Sequence, residues 1–178
     1  MGSSDGVALT VSTARALLAA GFQALEARKQ EINDLNVYPV PDGDTGTNLV
    51  LTVKSIVDTV AKAPEGMSQA ELCEVITQAA LMGARGNSGI ILSQIIRGAL
   101  EELAEGGVID CARLARAFRR ATDTAYRAVR KPVEGTMLTV LRDMADAAAG
   151  ASTDDDMRSF LQGVIATGWK SVERTPSL

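Results

Sequence analysis

Hydrophobic residues recur along this chain at the three- and four-residue spacing that places them on one face of an α-helix. In the first such segment Ala14, Leu18, Phe22 and Leu25 share a face, and the pattern continues to Leu35. The segments that carry the pattern cover residues 14–35, 49–60, 72–80, 92–103, 114–129, 137–148 and 157–172. The apolar run GIILSQII does not read as a strand, because it continues into RGALEEL at helical spacing. The pattern therefore predicts an all-α fold, a bundle of seven antiparallel helices.

Polar residues at the ends of these segments predict where the helices begin and stop. Ser12 or Thr13 is expected to cap the first helix, and Ser68 with Glu71 three residues later has the spacing of a capping box. The acidic segment STDDD precedes the seventh helix, and a glycine pair follows the fourth. The chain stops at SVERTPSL, just past a helix-terminating proline, which fits either an odd number of antiparallel helices or a chain cut within a longer domain.

Length and composition agree with this fold. Residues 1–178 suit a single domain whose core is aliphatic, because 46% of the chain is hydrophobic and only 3% aromatic. The net charge of −4 predicts no nucleic-acid partner. No run of 18 apolar residues and no basic leader is present, so we expect no membrane span and a cytoplasmic protein. The lack of histidine excludes histidine-based catalysis, and Cys73 and Cys111 are expected to be buried free thiols.

The connection LNVYPVPDGDTGTN between the first two predicted helices is richer than a simple link requires. It carries Asp42 and Asp44 one residue apart, directly before the next helix. An EF-hand loop starting at Asp42 is excluded, because Thr47 and Val53 stand where glycine and glutamate are needed. A D-x-D phosphatase motif fits poorly, because no hydrophobic strand leads into it. Simple N-capping of the helix by Asp44 or the threonine after it remains an alternative.

A metal and phosphate site accounts for more of this connection than capping does. Pro39 and Pro41 stiffen the approach, while Gly43 and Gly46 leave room for a ligand. Two carboxylates separated by a glycine can face one hard cation such as Mg²⁺, which takes oxygen ligands and contacts phosphates. The N–H groups of residues 45–48, at the start of the helix, point toward the same place. The connection therefore predicts a site for a nucleotide phosphate and its metal.

Two later connections also end at helix starts. GARGNSG lacks the P-loop spacing, yet Gly86, Asn87 and Ser88 offer N–H groups and a hydroxyl to phosphate oxygens. A glycine at the helix end and an ordinary cap at Asn87 or Ser88 explain it equally well. KPVEGTMLT has Thr136 as its predicted cap, and a plain turn is the simpler interpretation of it in isolation. Three glycine-rich helix starts in one chain favour a nucleotide site.

In this order and spacing, LNVYPVPDGDTGTN, GARGNSGIILSQIIRG and KPVEGTMLTVLRD closely resemble the N-terminal ATP-binding domain of bacterial fatty acid kinase. That domain is related to the ATP-binding subunit of dihydroxyacetone kinase. The resemblance covers essentially the whole chain. It implies a barrel of eight antiparallel helices, with ATP and two Mg²⁺ ions held by loops at one end. Because the pattern predicts seven helices, the last helix of the barrel is expected to be truncated in this chain.

The resemblance also implies roles for individual residues. The metal ligands match Asp42, Asp44 and Asn36, although the dihydroxyacetone kinase relatives have their third aspartate where this chain has Val37. The phosphate contacts of the first loop match four consecutive residues: Thr45, Gly46, Thr47 and Asn48. Those of the second loop match Asn87 and Ser88, beside Gly86, and the purine contact matches Met137 with Thr136 next to it.

The implied activity is transfer of the γ-phosphate of ATP to a fatty acid carboxylate, which a separate fatty-acid-binding protein delivers. Asp42 and Asp44 would hold the metals, and Arg85 would stabilise the transferring charge unless it is a solvated or packing residue. Two alternatives remain open: the ATP-binding subunit of a dihydroxyacetone kinase and a non-catalytic helical scaffold. The resemblance implies a nucleotide-closing segment after the last barrel helices, so we expect this chain to be the N-terminal fragment of a longer kinase. Without that segment we expect weak nucleotide binding and little turnover. Dimerisation is expected through regions beyond Leu178.

Overall fold

A computed structural model describes residues 6–36, 41–151 and 156–175 of the chain. In these ranges the residues with helical periodicity form eight α-helices. They are α1 (Val11–Ala27), α2 (Lys29–Asp34), α3 (Thr45–Val60), α4 (Gln69–Gly83), α5 (Gly86–Leu103), α6 (Cys111–Ala128), α7 (Met137–Gly150) and α8 (Met157–Arg174). The described ranges contain no β-strand beyond an isolated antiparallel bridge between Val7 and Ile109. The predicted all-α fold is confirmed. Within the same ranges no helix combines the length and apolarity that crossing a membrane requires.

The predicted count of seven helices is wrong, because the first hydrophobic stripe is divided between two helices. Helix α1 is capped by the Thr10 side chain in a capping box with Thr13, not by Ser12 or Thr13 itself. It ends at Arg28, whose φ of −109° and ψ of 8° are not helical, and α2 follows at once. No glycine or proline marks the break, so the local sequence carries no signal for it. The eighth helix, α8, is as long as α5 and α6, with 18 residues each.

Most of the other predicted helix ends are confirmed. Ser68 and Glu71 form the capping box of α4, and Thr136 caps α7 by accepting the N–H of Leu138. Within STDDD, Asp156 caps α8 by accepting the N–H of Ser159, and residues 152–155 lie outside the described ranges. The expected cap at Asn87 or Ser88 is wrong. Helix α5 begins at Gly86, with Arg85 in the cap position, two residues before Asn87.

Neighbouring long helices pack antiparallel through small and aliphatic side chains. Ile56, Leu72 and Ala80 are fully buried in a core shared by α1, α3, α4 and α5. A second cluster around Phe160 and Val164 joins α8 to α6 and α7. This is the aliphatic helix-on-helix core that the composition predicts.

The antiparallel order brings the starts of α3, α5 and α7 to one end of the molecule. Helix α2 lies against the first turn of α3 at this end, as the contact of Lys29 with Gly46 shows. The last helix also returns here. Its Ser171 hydroxyl donates to an Asp143 carboxylate oxygen of α7 at 2.6 Å, and its Trp169 ring centroid lies 5.5 Å from Cζ of Arg28. The helix starts that carry the three motifs therefore share one end of the fold.

The two cysteines, Cys73 and Cys111, are buried and form no disulfide, as predicted. Burial raises the pKa of the Cys73 thiol to about 11, so the thiol stays protonated at neutral pH. Cys73 therefore serves as a small apolar side chain of the core.

Candidate functional site

The acidic loop, which carries Asp42 and Asp44, lies directly before the start of α3. The Asn36 amide Nδ2 donates to Asp42 Oδ1 at 2.5 Å, so the predicted third ligand lies beside the first carboxylate. Asp42 is exposed and Asp44 is half-buried. Among the described residues neither carboxylate has an ion-pair partner. Val37 and Pro39, on which parts of the prediction depend, lie outside the described residues.

Helix α3 begins at Thr45 without help from its own cap residue. Asp44 stands in the cap position, but its side chain makes no capping hydrogen bond. The N–H of Thr47 instead donates to Asn33 Oδ1 of α2 at 3.1 Å. The N–H groups of Thr45 and Gly46 have no acceptor in the described part of the chain, as is usual in the first turn of a helix. Two orphan donors therefore stand next to two uncompensated carboxylates.

The second loop is held against α3 by Thr52, a residue that the sequence motifs do not single out. Its hydroxyl accepts the Arg85 N–H at 3.2 Å and donates to the Asn48 carbonyl at 2.7 Å, while the side chain is fully buried. Two glycines permit this contact. A Cβ atom on Gly86 would lie 2.2 Å from Asn48 Nδ2, and one on Gly89 would lie 2.4 Å from Thr52 Oγ1. Gly86 also has φ of +57°, which disfavours any side chain there.

The first two motifs meet at their helix starts. Thr45 Oγ1 and Ser88 Oγ are 3.3 Å apart and share a hydrogen bond. Asn48 touches Gly86 one turn further along α3, so the predicted residues of both loops form one contiguous surface. Asn87 is exposed beside them. The Arg85 guanidinium is exposed as well, and its Nη1 donates to the adjacent Ala84 carbonyl at 3.0 Å.

The third loop lies at the same end of the fold and is joined to α5 through apolar packing. Leu138, in the first turn of α7, is buried in a cluster against which Ile91 of α5 packs. The Thr136 hydroxyl donates to the Val133 carbonyl at 2.8 Å, closing the loop on itself. Thr136 and Met137 are both partly exposed. The first two loops contact each other directly, whereas the third is connected to them through the hydrophobic cluster of Leu138 and Ile91.

An ion pair holds the third loop in shape. Arg142 donates to both carboxylate oxygens of Glu134, at 2.7 and 2.9 Å. The Thr139 hydroxyl donates to the same carboxylate at 2.8 Å and accepts the N–H of Gly135 at 3.0 Å. Hydrogen bonds from Arg142 and Thr139 lower the pKa of Glu134. The loop around Gly135, which has φ of +75°, is therefore tied to the helix that follows it.

The donor set fits a hard divalent cation. Mg²⁺ takes carboxylate and amide oxygens and retains waters, so it does not need a cage made entirely of protein atoms. Asp42 and Asp44 supply two carboxylates, and Asn36 keeps its Oδ1 for a ligand because its Nδ2 makes the bond to Asp42. The described residues contain no cluster of three or more acidic, cysteine or histidine side chains. Asp42, Asp44 and Asn36 are the residues that would hold such a cation.

A separate cavity of about 350 Å³ lies at the opposite end of α6 and α7. Its lining is mostly alanine, with Cys111 and Phe160 inside and Arg116 and Arg119 at its edge. Both arginines are paired with carboxylates, Arg116 with Glu102 and Arg119 with Asp146. The cavity is thus remote from the motif loops and has no uncompensated charge to recognise a ligand.

Comparison with known proteins identifies the family. A family model described as DAK2 domain matches residues 39–178, which is most of the chain. The chain belongs to the DAK2 domain family. This is the ATP-binding subunit type of the dihydroxyacetone kinase family, whose members bind an ATP-type nucleotide.

Curated relatives of this DAK2 domain come from staphylococci. The chain is 45% identical over 161 residues to uncharacterized proteins of Staphylococcus haemolyticus and Staphylococcus saprophyticus. It is 43% identical over 161 residues to an uncharacterized protein of Staphylococcus aureus. These matches cover 89% of the chain and 29% of each relative. The DAK2 domain thus spans less than a third of the length of these relatives.

Proposed function

We propose that this DAK2 domain binds Mg-ATP for a kinase that phosphorylates a fatty acid presented by a separate fatty-acid-binding protein. The product is an acyl phosphate. The supporting observation is the junction of the first two motifs: Thr45 and Ser88 join two helix starts next to the unpaired carboxylates of Asp42 and Asp44. Family membership supports the nucleotide, and the motif sequences PVPDGDTGTN and GARGNSG favour the fatty acid branch over dihydroxyacetone kinase.

In this proposal the chain contributes positioning and charge. Asp42 and Asp44, with the Asn36 amide oxygen, hold up to two Mg²⁺ ions, which neutralise phosphate charge when bound. The N–H groups of Thr45 and Gly46, those of residues 86–88 and the hydroxyls of the two loops donate to phosphate oxygens. The N–H groups of Thr47 and Asn48 are already bonded, to Asn33 Oδ1 and the Asp44 carbonyl, and take no part. Met137, with Thr136 beside it, contacts the purine of the nucleotide. In this proposal the guanidinium of Arg85, which is exposed, stabilises charge that develops on the transferred group.

The proposed step needs no base from the protein. A fatty acid carboxylate is already ionised at neutral pH, so its oxygen can attack the γ-phosphorus directly. The bond between the γ-phosphorus and the β,γ-bridging oxygen breaks, and ADP leaves with the electron pair. A chain without histidine is compatible with this chemistry.

Binding is tested by calorimetry with Mg-ATP on the wild type and on Asp42→Ala. We expect the variant to lose Mg²⁺-dependent ATP binding. Asp58→Ala is the matched control, because Asp58 is an exposed carboxylate near the far end of α3, where its ion-pair partner is Lys54. Unchanged affinity in Asp42→Ala would defeat the metal assignment. If the wild type gains no Mg²⁺-dependent thermal stabilisation from ATP, the scaffold alternative is correct.

The acceptor is tested separately, on a protein that carries this domain together with the regions found in its longer relatives. Labelled ATP is supplied with a fatty-acid-loaded binding protein or with dihydroxyacetone, and acyl phosphate is trapped with hydroxylamine. Hydroxamate formation with the loaded protein supports the proposal. Label transfer to dihydroxyacetone alone would assign the domain to the triose branch of the family instead.

A further inference from the structure

Helix α3 has its capping group in another helix. An aspartate in the cap position ordinarily accepts the N–H of the second or third helical residue. Here Asp44 makes no such bond. The N–H of Thr47, the third residue of α3, donates to Asn33 Oδ1 at 3.1 Å, and Asn33 Nδ2 donates to Thr47 Oγ1 at 3.0 Å. The amide of Asn33 is therefore engaged at both its oxygen and its nitrogen, which defines its orientation.

The approach of α2 to the first turn of α3 depends on Gly46. A Cβ atom at this position would lie 2.2 Å from the Lys29 carbonyl oxygen and 2.9 Å from Asn33 Oδ1. Gly46 is itself buried by this contact. Any larger residue would push α2 away and carry the Asn33 amide out of hydrogen-bond range of Thr47. The short helix α2 and the glycine together build the cap.

We propose that Asn33 is a positioning residue for the cation site, because its cap of α3 leaves the Asp44 carboxylate free to face a divalent cation. This inference rests on the proposed function. Without Asn33, the N–H of Thr47 loses its acceptor, and the Asp44 carboxylate, in the cap position, is the group that ordinarily accepts such an N–H. That carboxylate would then turn toward the helix, and the cation would lose a ligand although no residue that contacts it has changed.

The test compares Asn33→Ala with Ser68→Ala, which removes the cap of α4. Both variants are expected to lower Tm by about 2–4 °C, since each loses one cap. Asn33→Ala should also weaken Mg-ATP binding about tenfold, whereas Ser68→Ala should leave it within about twofold. When EDTA removes the Mg²⁺, the wild type, Asn33→Ala and Ser68→Ala should bind ATP with the same affinity. Asn33→Asp, which keeps an acceptor oxygen for Thr47, should bind Mg-ATP as the wild type does.

A double variant tests whether Asn33 affects Mg-ATP binding through the Asp44 carboxylate. Asp44→Asn alone weakens Mg-ATP binding, and adding Asn33→Ala to it should cause no further loss, because the carboxylate to be positioned is already gone. Additive losses would overturn the proposal. So would equal Mg-ATP affinities in Asn33→Ala and Ser68→Ala, because Asn33 would then be structural only.

The cap itself is tested without nucleotide, which separates this inference from the proposed function. Asn33→Ala should lower Tm more than Asp44→Ala, because Asp44 makes no capping bond. The reverse order of Tm values would show that Asp44 is the cap and would overturn the inference. If the wild type fails to bind Mg-ATP, the proposed function is wrong, and so is the role of Asn33 in positioning a cation ligand. The Tm values of Asn33→Ala and Asp44→Ala still decide which residue caps α3.

Discussion

Thr45 Oγ1 and Ser88 Oγ share a hydrogen bond of 3.3 Å across 43 residues of sequence. Thr45 is the first residue of α3 and Ser88 is the third of α5, so this bond joins the starts of two helices. Behind it, Thr52 connects Arg85 to the carbonyl of Asn48. The two motif loops are thus parts of one hydrogen-bonded structure.

This bond predicts energetic coupling between the two loops. In urea unfolding, Thr45→Val and Ser88→Ala should each destabilise the protein, and the double variant should lose about 0.5–1.5 kcal/mol less than the sum. Thr59→Val is the control, because the Thr59 hydroxyl donates within α3, to the Ser55 carbonyl. It should show no coupling to Ser88→Ala. Strict additivity for Thr45 and Ser88 would contradict a shared bond.

The close contact at Gly46 predicts a large effect of one methyl group. Gly46→Ala places a Cβ 2.2 Å from the Lys29 carbonyl oxygen, and because that neighbour is backbone, relief requires α2 to move. We expect a loss of about 1–3 kcal/mol in the free energy of unfolding, together with weaker Mg-ATP binding.

Gly21→Ala is the matched control for Gly46→Ala. Gly21 lies inside α1, and a Cβ atom there meets nothing within 4 Å. Alanine has the better helix propensity, so this variant should be more stable than the wild type by about 0.5–1 kcal/mol. Chemical denaturation measures both variants. A Gly46→Ala protein as stable as the wild type would show that α2 does not lie against the start of α3.

The Glu134–Arg142 pair predicts a pH-dependent contribution of the third loop to stability. The pKa of Glu134 is lowered in the folded protein, first by the hydrogen bonds from Arg142 and then by that from Thr139. A lowered carboxylate pKa stabilises the fold above the unfolded-state pKa, and this stabilisation is lost as the pH falls through the folded-state pKa. Glu134→Gln should therefore be less stable than the wild type at pH 7, with the difference shrinking below about pH 4.5.

The comparison is made from unfolding free energies between pH 7 and pH 3. In an Arg142→Met background, the difference between glutamate and glutamine at residue 134 should depend much less on pH, because the principal donor is absent. A pH-dependent difference of the same size in that background would assign the lowered pKa of Glu134 to another group.

The buried thiol of Cys73 predicts slow alkylation. With a pKa of about 11, its thiolate fraction at pH 8 is roughly a hundredfold smaller than that of an ordinary thiol. In a Cys111→Ser protein, iodoacetamide at pH 8 should modify Cys73 at least about a hundredfold more slowly than in the urea-unfolded chain. Equal rates in the two states would show that Cys73 is accessible.

Local sequence predicted the parts of the fold that depend on local chemistry. The hydrophobic stripes marked every long helix, and the caps at Ser68 and Thr136 were confirmed because each bonds within its own helix start. The division of the first helix at Arg28 and the cap position of Arg85 were not predicted, since neither residue carries a local breaking or capping signal. Asn33 and Thr52 were missed for a related reason, because their partners lie 14 and 33 residues away.

The order of polar and apolar residues alone specified an all-helical chain with three glycine-rich helix starts and two aspartates separated by one glycine, because helix periodicity, caps and turns arise among residues a few positions apart. Only the tertiary structure decided that the first two starts touch through Thr45 and Ser88, and that Asn33 rather than Asp44 caps α3. Those contacts join residues distant in sequence, and they exist only because packed helices bring glycines close to the Lys29 backbone and to the Asn48 and Thr52 side chains.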